Sequence, residues 1–195
     1  MIAIVDSGVA NLASLGFALE RLGKDFVVTD NPDLVERASH VILPGVGAAS
    51  AAMPRLRQKG MAKRLEGLTQ PVLGICLGMQ LLFTHSEEGR VDLLNIIPGK
   101  IEALHSAPQL VVPHMGWNKV RLTRASALLT ELPDSAYFYF AHSYVVPLGD
   151  YTLATTFYGE NFSSLVVRDN FFGCQFHPER SGPIGQQLLA NFVGL

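Results

Sequence analysis

The stretch that decides the fold is Pro71-Val72-Leu73-Gly74-Ile75-Cys76-Leu77-Gly78-Met79-Gln80-Leu81-Leu82. A short apolar run gives way without a linker to a helical pattern, and the change falls at a cysteine flanked by Gly74 and Gly78. This is the pattern of a nucleophile elbow with cysteine in place of serine. A sharp strand-to-helix turn forces strained backbone at the nucleophile and brings neighbouring chains close, so residues without a Cβ are needed beside it. The thiol projects over the sheet edge. Unpaired amides and the dipole of the helix it opens favour thiolate, and the Leu77 amide points where an oxyanion would form.

A nucleophile of this kind needs a base. Gln175-Phe176-His177-Pro178-Glu179, about a hundred residues downstream, supplies one. Pro178 pushes His177 to an extended conformation, which predicts that His177 and Glu179 project on the same side, two positions apart. A carboxylate on one ring nitrogen fixes the tautomer while the other nitrogen faces the thiol, the logic of a Cys76–His177–Glu179 triad. Cys174, on the same apolar run, reads as a packed core residue. Pro44-Gly45-Val46-Gly47 follows another apolar run; it reads either as an ordinary Gly/Pro turn or as a loop whose glycines let backbone amides turn toward a ligand, the other half of an oxyanion hole.

Outward from these motifs the first half alternates β-branched runs with helical patterns: Ile2–Val5, a helix over Asn11–Leu22 with Leu12, Leu15, Leu19 and Leu22 on one face, and Phe26–Thr29. A short helix over 33–38, Val41–Leu43 and a helical region over 48–65 follow. Asn11 is a suitable N-cap and Gly23 a suitable terminator. This alternation predicts an α/β fold with a mostly parallel sheet flanked by helices. In the second half Leu110–Val112, Tyr137–Phe140, Tyr151–Phe157, Ser164–Val167 and Phe171–Phe176 read as strands of an antiparallel extension, closed by a helix over Gly185–Phe192.

Length and composition bound the function. At 195 residues the chain is sized for a single domain, 1–195, with a real core. Charged residues are only 16% against 48% hydrophobic, below the roughly 25% charged of an average domain, so a partner is expected to cover part of the surface. A formal charge of −2 offers no footprint for nucleic acid or an anionic membrane. With no apolar run of about 18 residues and no leader pattern, the chain reads as cytoplasmic. Two cysteines make neither a disulfide framework nor a four-ligand zinc site, and no metal or cofactor is expected. Arg55, Arg57, Lys59, Lys63 and Arg64 read as a solvated helix face rather than a phosphate site.

Taken together, the motifs resemble the class I, or triad, glutamine amidotransferases. The segments Asn11–Ser14, Leu43–Gly47, Gly74–Leu82, Pro113–Asn118, Tyr139–Tyr144 and Gln175–Glu179 narrow the resemblance to the glutaminase subunits of imidazole glycerol phosphate synthase, over nearly the whole chain. The resemblance implies that Cys76 attacks the side-chain amide of glutamine, that His177 shuttles protons, and that Glu179 orients His177. It implies an oxyanion hole from Val46, Gly47 and Leu77. Gln80 and Glu88 would contact substrate, Glu88 through its α-amino group, and the backbone around His142, Ser143 and Tyr144 would complete the pocket. The implied partner is a (β/α)8-barrel cyclase that receives the ammonia, with Trp117, Tyr139 and Arg180 near the interface. Ser7, Ala10, Ala49, Asn95 and Arg180 depart from residues common in the family.

Overall fold

The computed structural model describes residues 1–8, 12–105 and 110–195. Its first half runs β1 (Ile2–Val5), α1 (Leu12–Arg21), β2 (Phe26–Thr29), α2 (Pro32–Arg37), β3 (His40–Gly45), α3 (Ala49–Gln58), α4 (Met61–Glu66), β4 (Val72–Cys76) and α5 (Leu77–Leu81). The second half contains β5 (His85–Ser86), β6 (Val91–Asp92), β7 (Lys100–Ala103), β8 (His114–Leu122), β9 (Ser135–His142), β10 (Tyr144–Val145), β11 (Thr152–Tyr158), β12 (Glu160–Arg168), β13 (Phe171–Cys174) and α6 (Gly182–Phe192).

Nine strands form one mixed sheet in the order β2-β1-β3-β4-β13-β12-β11-β8-β9. From β2 to β13 neighbours are parallel, and from β13 to β9 they are antiparallel. Alternate residues of the parallel strands enter opposite cores, as a pleat of period two requires. Ala3, Val5, Val41 and Val72 pack with α3 and α4 residues such as Met53, Leu56 and Leu65. Ile2, Ile4, Ile42, Leu73 and Ile75 pack instead with Leu15 and Leu19 of α1 and Leu188, Leu189 and Phe192 of α6. A small sheet, β10-β7-β5-β6, flanks the large one.

Several expectations need correction. The helical region over 48–65 is two helices, parted at Gly60, whose φ of 70° is one a residue with a Cβ rarely adopts. Leu110–Val112 is not a strand; only Leu110 makes an isolated bridge. Phe171–Cys174 is antiparallel to β12, as expected, but also parallel to β4, so it is the junction between the two halves. The nine-residue β8 lies where no strand was expected. Asn31 caps α2, its Oδ1 accepting the Asp33 N–H at 2.9 Å, with Pro32 at the first helical position. The expected cap Asn11, the start of the segment Asn11–Ser14 and Ala10 lie outside the described residues.

Four of the five basic residues of the cluster make polar contacts with the protein. Arg55 donates to the Gly8 carbonyl at 2.9 Å and Arg57 to that of Asp92 at 2.7 Å, while Lys59 pairs with Asp30 and Arg64 with Asp33 and Glu36. Among the described residues no helix is long and apolar enough to cross a membrane.

Candidate active site

Three strands deliver the site at one edge of the sheet. In the register of β3 and β4, Gly45 lies opposite Cys76, and in that of β13 and β4, Cys174 lies opposite Ile75. Because all three strands are parallel, their carboxyl ends place Pro44–Gly47, Cys76 and Gln175–His177 side by side. That edge is where open α/β sheets bind their ligands.

The elbow is built on close approach. Cys76 has φ 54° and ψ −111° and caps α5 directly, a conformation that non-glycine residues hold only when the surroundings over-determine it. A Cβ on Gly78 would sit 1.6 Å from the Leu43 carbonyl oxygen, and one on Gly74 2.6 Å from both the Gly78 oxygen and the Met79 nitrogen. Both glycines are therefore steric necessities of the turn. Cys76 is 7% exposed. Its Sγ lies 3.8 Å from the Ala141 carbonyl and, at 3.8 Å, accepts the Gln175 Nε2–H.

His177 is buried, and its Nδ1 lies 2.9 Å from Glu179 Oε1. The contact does not arise by strand alternation. His177 is extended, as Pro178 requires, but Pro178–Arg180 turns as a 3-10 helix and brings the carboxylate back under the ring. Burial pulls the imidazolium down, yet hydrogen bonds to Cys76 and Glu179, together with their charges, outweigh it and raise the pKa to about 10. Both neighbours thus favour the charged form of the His177 ring. Cys174 is fully buried, its thiol pushed well above the usual range by that burial, which leaves it an inert core residue.

Above the sulfur opens a cavity of about 390 Å³ lined by Val46, Gly47, Leu77, Gln80, Glu88, His142, Ser143 and Tyr144 as well as Cys76 and His177. Every residue expected in the triad, the oxyanion hole and the substrate pocket borders this one space. Glu88 is fixed by the Ala49 N–H, which its Oε2 accepts at 3.1 Å at the start of α3. The neighbouring Glu87 turns instead to the Ala103 N–H. Gln80 Nε2 donates to the Tyr144 carbonyl at 3.2 Å and to Gln175 Oε1 at 3.0 Å. Both amide protons are spent on protein acceptors, so Gln80 has only its carbonyl oxygen to offer a ligand.

A model of the class-I glutamine amidotransferases matches residues 3–194. The imidazole glycerol phosphate synthase subunit HisH of Idiomarina loihiensis is 52% identical over 194 residues, spanning 100% of this chain and 97% of that protein. The chain belongs to the HisH branch of the class-I glutamine amidotransferases. The HisH subunit of Pasteurella multocida is 50% identical over 192 residues, 98% of this chain and 96% of that one. The class-I fold extends much further. A crystallised glutamine amidotransferase from Thermotoga maritima superposes with a TM-score of 0.68 at 16% identity, over 98% of this chain and 95% of its own.

On this class-I scaffold the three residues expected near a partner fall in one row beside the cavity. Trp117 on β8 lies opposite Tyr139 on β9, their rings 6.3 Å apart edge to face. The Arg180 guanidinium sits over the Tyr139 ring at 4.5 Å and itself borders the cavity. Met115 on β8, Tyr137 on β9 and Phe157 on the adjoining β11 are exposed as well, an apolar face that the motifs do not reveal. Sequence reasoning also passed over Gln175, because in one dimension it is only the residue before Phe176; its role comes from the β13–β4 register.

Proposed function

We propose that the chain is the glutaminase subunit of imidazole glycerol phosphate synthase, a single domain over 1–195, acting in the cytoplasm on glutamine for histidine biosynthesis. The observation that carries the reading is a cysteine on a strained elbow that shares one cavity with a buried histidine, whose Nδ1 lies 2.9 Å from a buried carboxylate.

The chemistry follows from that arrangement. The Cys76 thiolate attacks the γ-carboxamide carbon of glutamine, and the carbonyl oxygen takes up the negative charge. Backbone amides of Val46, Gly47 and Leu77 would stabilise it. His177 passes its proton to the leaving nitrogen, and ammonia departs as the thioester forms. Water then attacks the thioester, His177 accepts its proton, and glutamate leaves with the thiolate regenerated. Glu179 holds the imidazole through both steps. Glu88 suits the α-ammonium of glutamine as a carboxylate at the cavity wall, and the backbone at His142, Ser143 and Tyr144 suits its remaining polar groups. No cofactor is required.

The partner is a (β/α)8-barrel cyclase bound over Trp117, Tyr139 and Arg180. Enclosure matters chemically, since free ammonia at neutral pH is mostly ammonium and no longer a nucleophile. The test is glutamate release from glutamine by this protein alone and with the barrel cyclase and its ribulosyl ligand. Negligible release alone and a rise by orders of magnitude in the ligand-bound complex is the expected result. Equal release in both conditions points to an uncoupled hydrolase and overturns the reading.

A further inference from the structure

Behind the cavity a row of polar groups, half-buried at Asn118 and buried at His114 and His142, runs from β8 to the sulfur, and each of its links has only one possible direction. It starts at Asn118, whose carboxamide is oriented by two backbone groups. The Lys119 N–H donates to Oδ1 at 2.7 Å, and Nδ2 donates to the Phe157 carbonyl at 3.0 Å. The second Nδ2 proton faces His114 Nε2 at 3.2 Å. That nitrogen must accept, so the His114 proton sits on Nδ1, where it donates to His142 Nε2 at 2.8 Å. By the same step the His142 proton sits on its Nδ1 and donates to the Tyr144 carbonyl at 2.9 Å. Tyr144 is the carbonyl that holds Gln80, and Gln80 holds Gln175, the donor to Cys76 Sγ.

We infer that His114 and His142 are positioning residues: a neutral pair with both protons on Nδ1, whose fixed polarity locks the Tyr144 carbonyl and, through it, the Gln80 and Gln175 amides beside the reacting atoms. The inference deepens the glutaminase reading and rests on it. The surroundings hold the pair in that state. The His114 ring is stacked between Phe140 and Tyr158, with centroids at 4.8 and 3.9 Å and interplanar angles of 24° and 22°. Burial depresses the pKa of His114 to about 4; burial, then the nearby charges of His114 and His177, depress that of His142 to about 3 despite its bond to Tyr144. An added proton on either Nε2 would face a donor already pointing at it. If His114 did not donate, His142 could swap tautomers and present a lone pair to the Tyr144 carbonyl, releasing that end of the pocket.

Two measurements on the full chain test this. Long-range nitrogen–proton correlation spectra of histidine-labelled protein at pH 6 should show both rings uncharged with the proton on Nδ1. An Nε2–H tautomer or an imidazolium at either ring overturns the relay. In the complex with the cyclase, His114→Phe keeps the stacking and removes the donor, while His114→Asn places an amide N–H where Nδ1–H was. The expected outcome is about a tenfold higher KM for glutamine in His114→Phe, little change in kcat, unchanged ammonia-dependent synthesis, and a KM near wild type in His114→Asn. Wild-type kinetics in His114→Phe, or equal damage in both variants, overturns it. Should His114→Phe not fold, the tautomer spectra and His114→Asn still decide. A wild-type complex that leaves glutamine untouched sinks the glutaminase reading and this role together, whereas wrong tautomers with normal turnover sink the relay alone.

Discussion

At the scale of residues, the division of labour around Cys76 makes sharp demands on single atoms. Cys76→Ala is expected to cut glutamine-dependent synthesis by about 10³-fold or more while leaving ammonia-dependent synthesis by the partner intact; loss of both would mean the chain does more than supply ammonia. The histidines set opposite limits on stability. His177 is raised from 6.5 to about 10 in the folded protein, so its contribution is complete below pH 6.5 and is lost as pH climbs toward 10. His114 and His142 are depressed to about 4 and 3, so the unfolded chain binds protons that the folded one refuses, and stability falls as pH drops below 6.5. Urea midpoints should therefore peak near neutrality, and His177→Gln should flatten the alkaline limb alone. An unchanged alkaline limb in that variant would count against the charged pair. That Cys76 and His177 meet at one cavity was legible in the sequence because glycine and proline spacings encode local backbone, whereas the 3-10 turn that returns Glu179 to the ring was not. The ring tautomers and the place of Gln175 were not, because they depend on groups brought together from distant strands.

Among the elements, the elbow and the loop that faces it contrast two uses of glycine. At Gly78 the demand is for space, with the Leu43 oxygen where a Cβ would be, whereas Gly47 has open surroundings but a φ of 85°. Gly78→Ala should lose about 3 kcal/mol or more of stability, or fail to fold. Gly47→Ala should fold with a cost of about 1 kcal/mol and lose kcat with little change in KM, as expected of a group that meets charge only in the transition state. Urea titrations with steady-state kinetics separate the two, and equal stability losses would show that the elbow can relax. The central parallel strands β1, β3 and β4 were readable because they are buried on both faces and appear as unbroken apolar runs. The β8 strand was not, because its pattern is inverted. His114, Asn118 and Val120 face inward while Met115 and Trp117 face out, and a reader of periodicity sees no core-facing stripe.

For the whole molecule, that inversion leaves large apolar side chains exposed on one face of the sheet, the face proposed above for the cyclase. Trp117, Tyr139 and Arg180, extended by Met115, Tyr137 and Phe157, form an aromatic and cationic face next to the cavity mouth, the composition favoured at the centre of protein interfaces. Trp117→Ala should weaken binding of the barrel cyclase by tenfold or more without lowering the unfolding midpoint of the isolated chain; binding titrations and thermal melts read the two, and a lower midpoint with intact binding would assign Trp117 to the fold. The sheet order carries a different consequence, for the chain during its synthesis. β4 is made before β5 to β12, but its neighbour β13, which leads to His177, is made only after them. Until then the edge of β4 is open and the thiol has no histidine. The sheet closes and the site is assembled in the same event, so an unfinished chain has no means to consume glutamine.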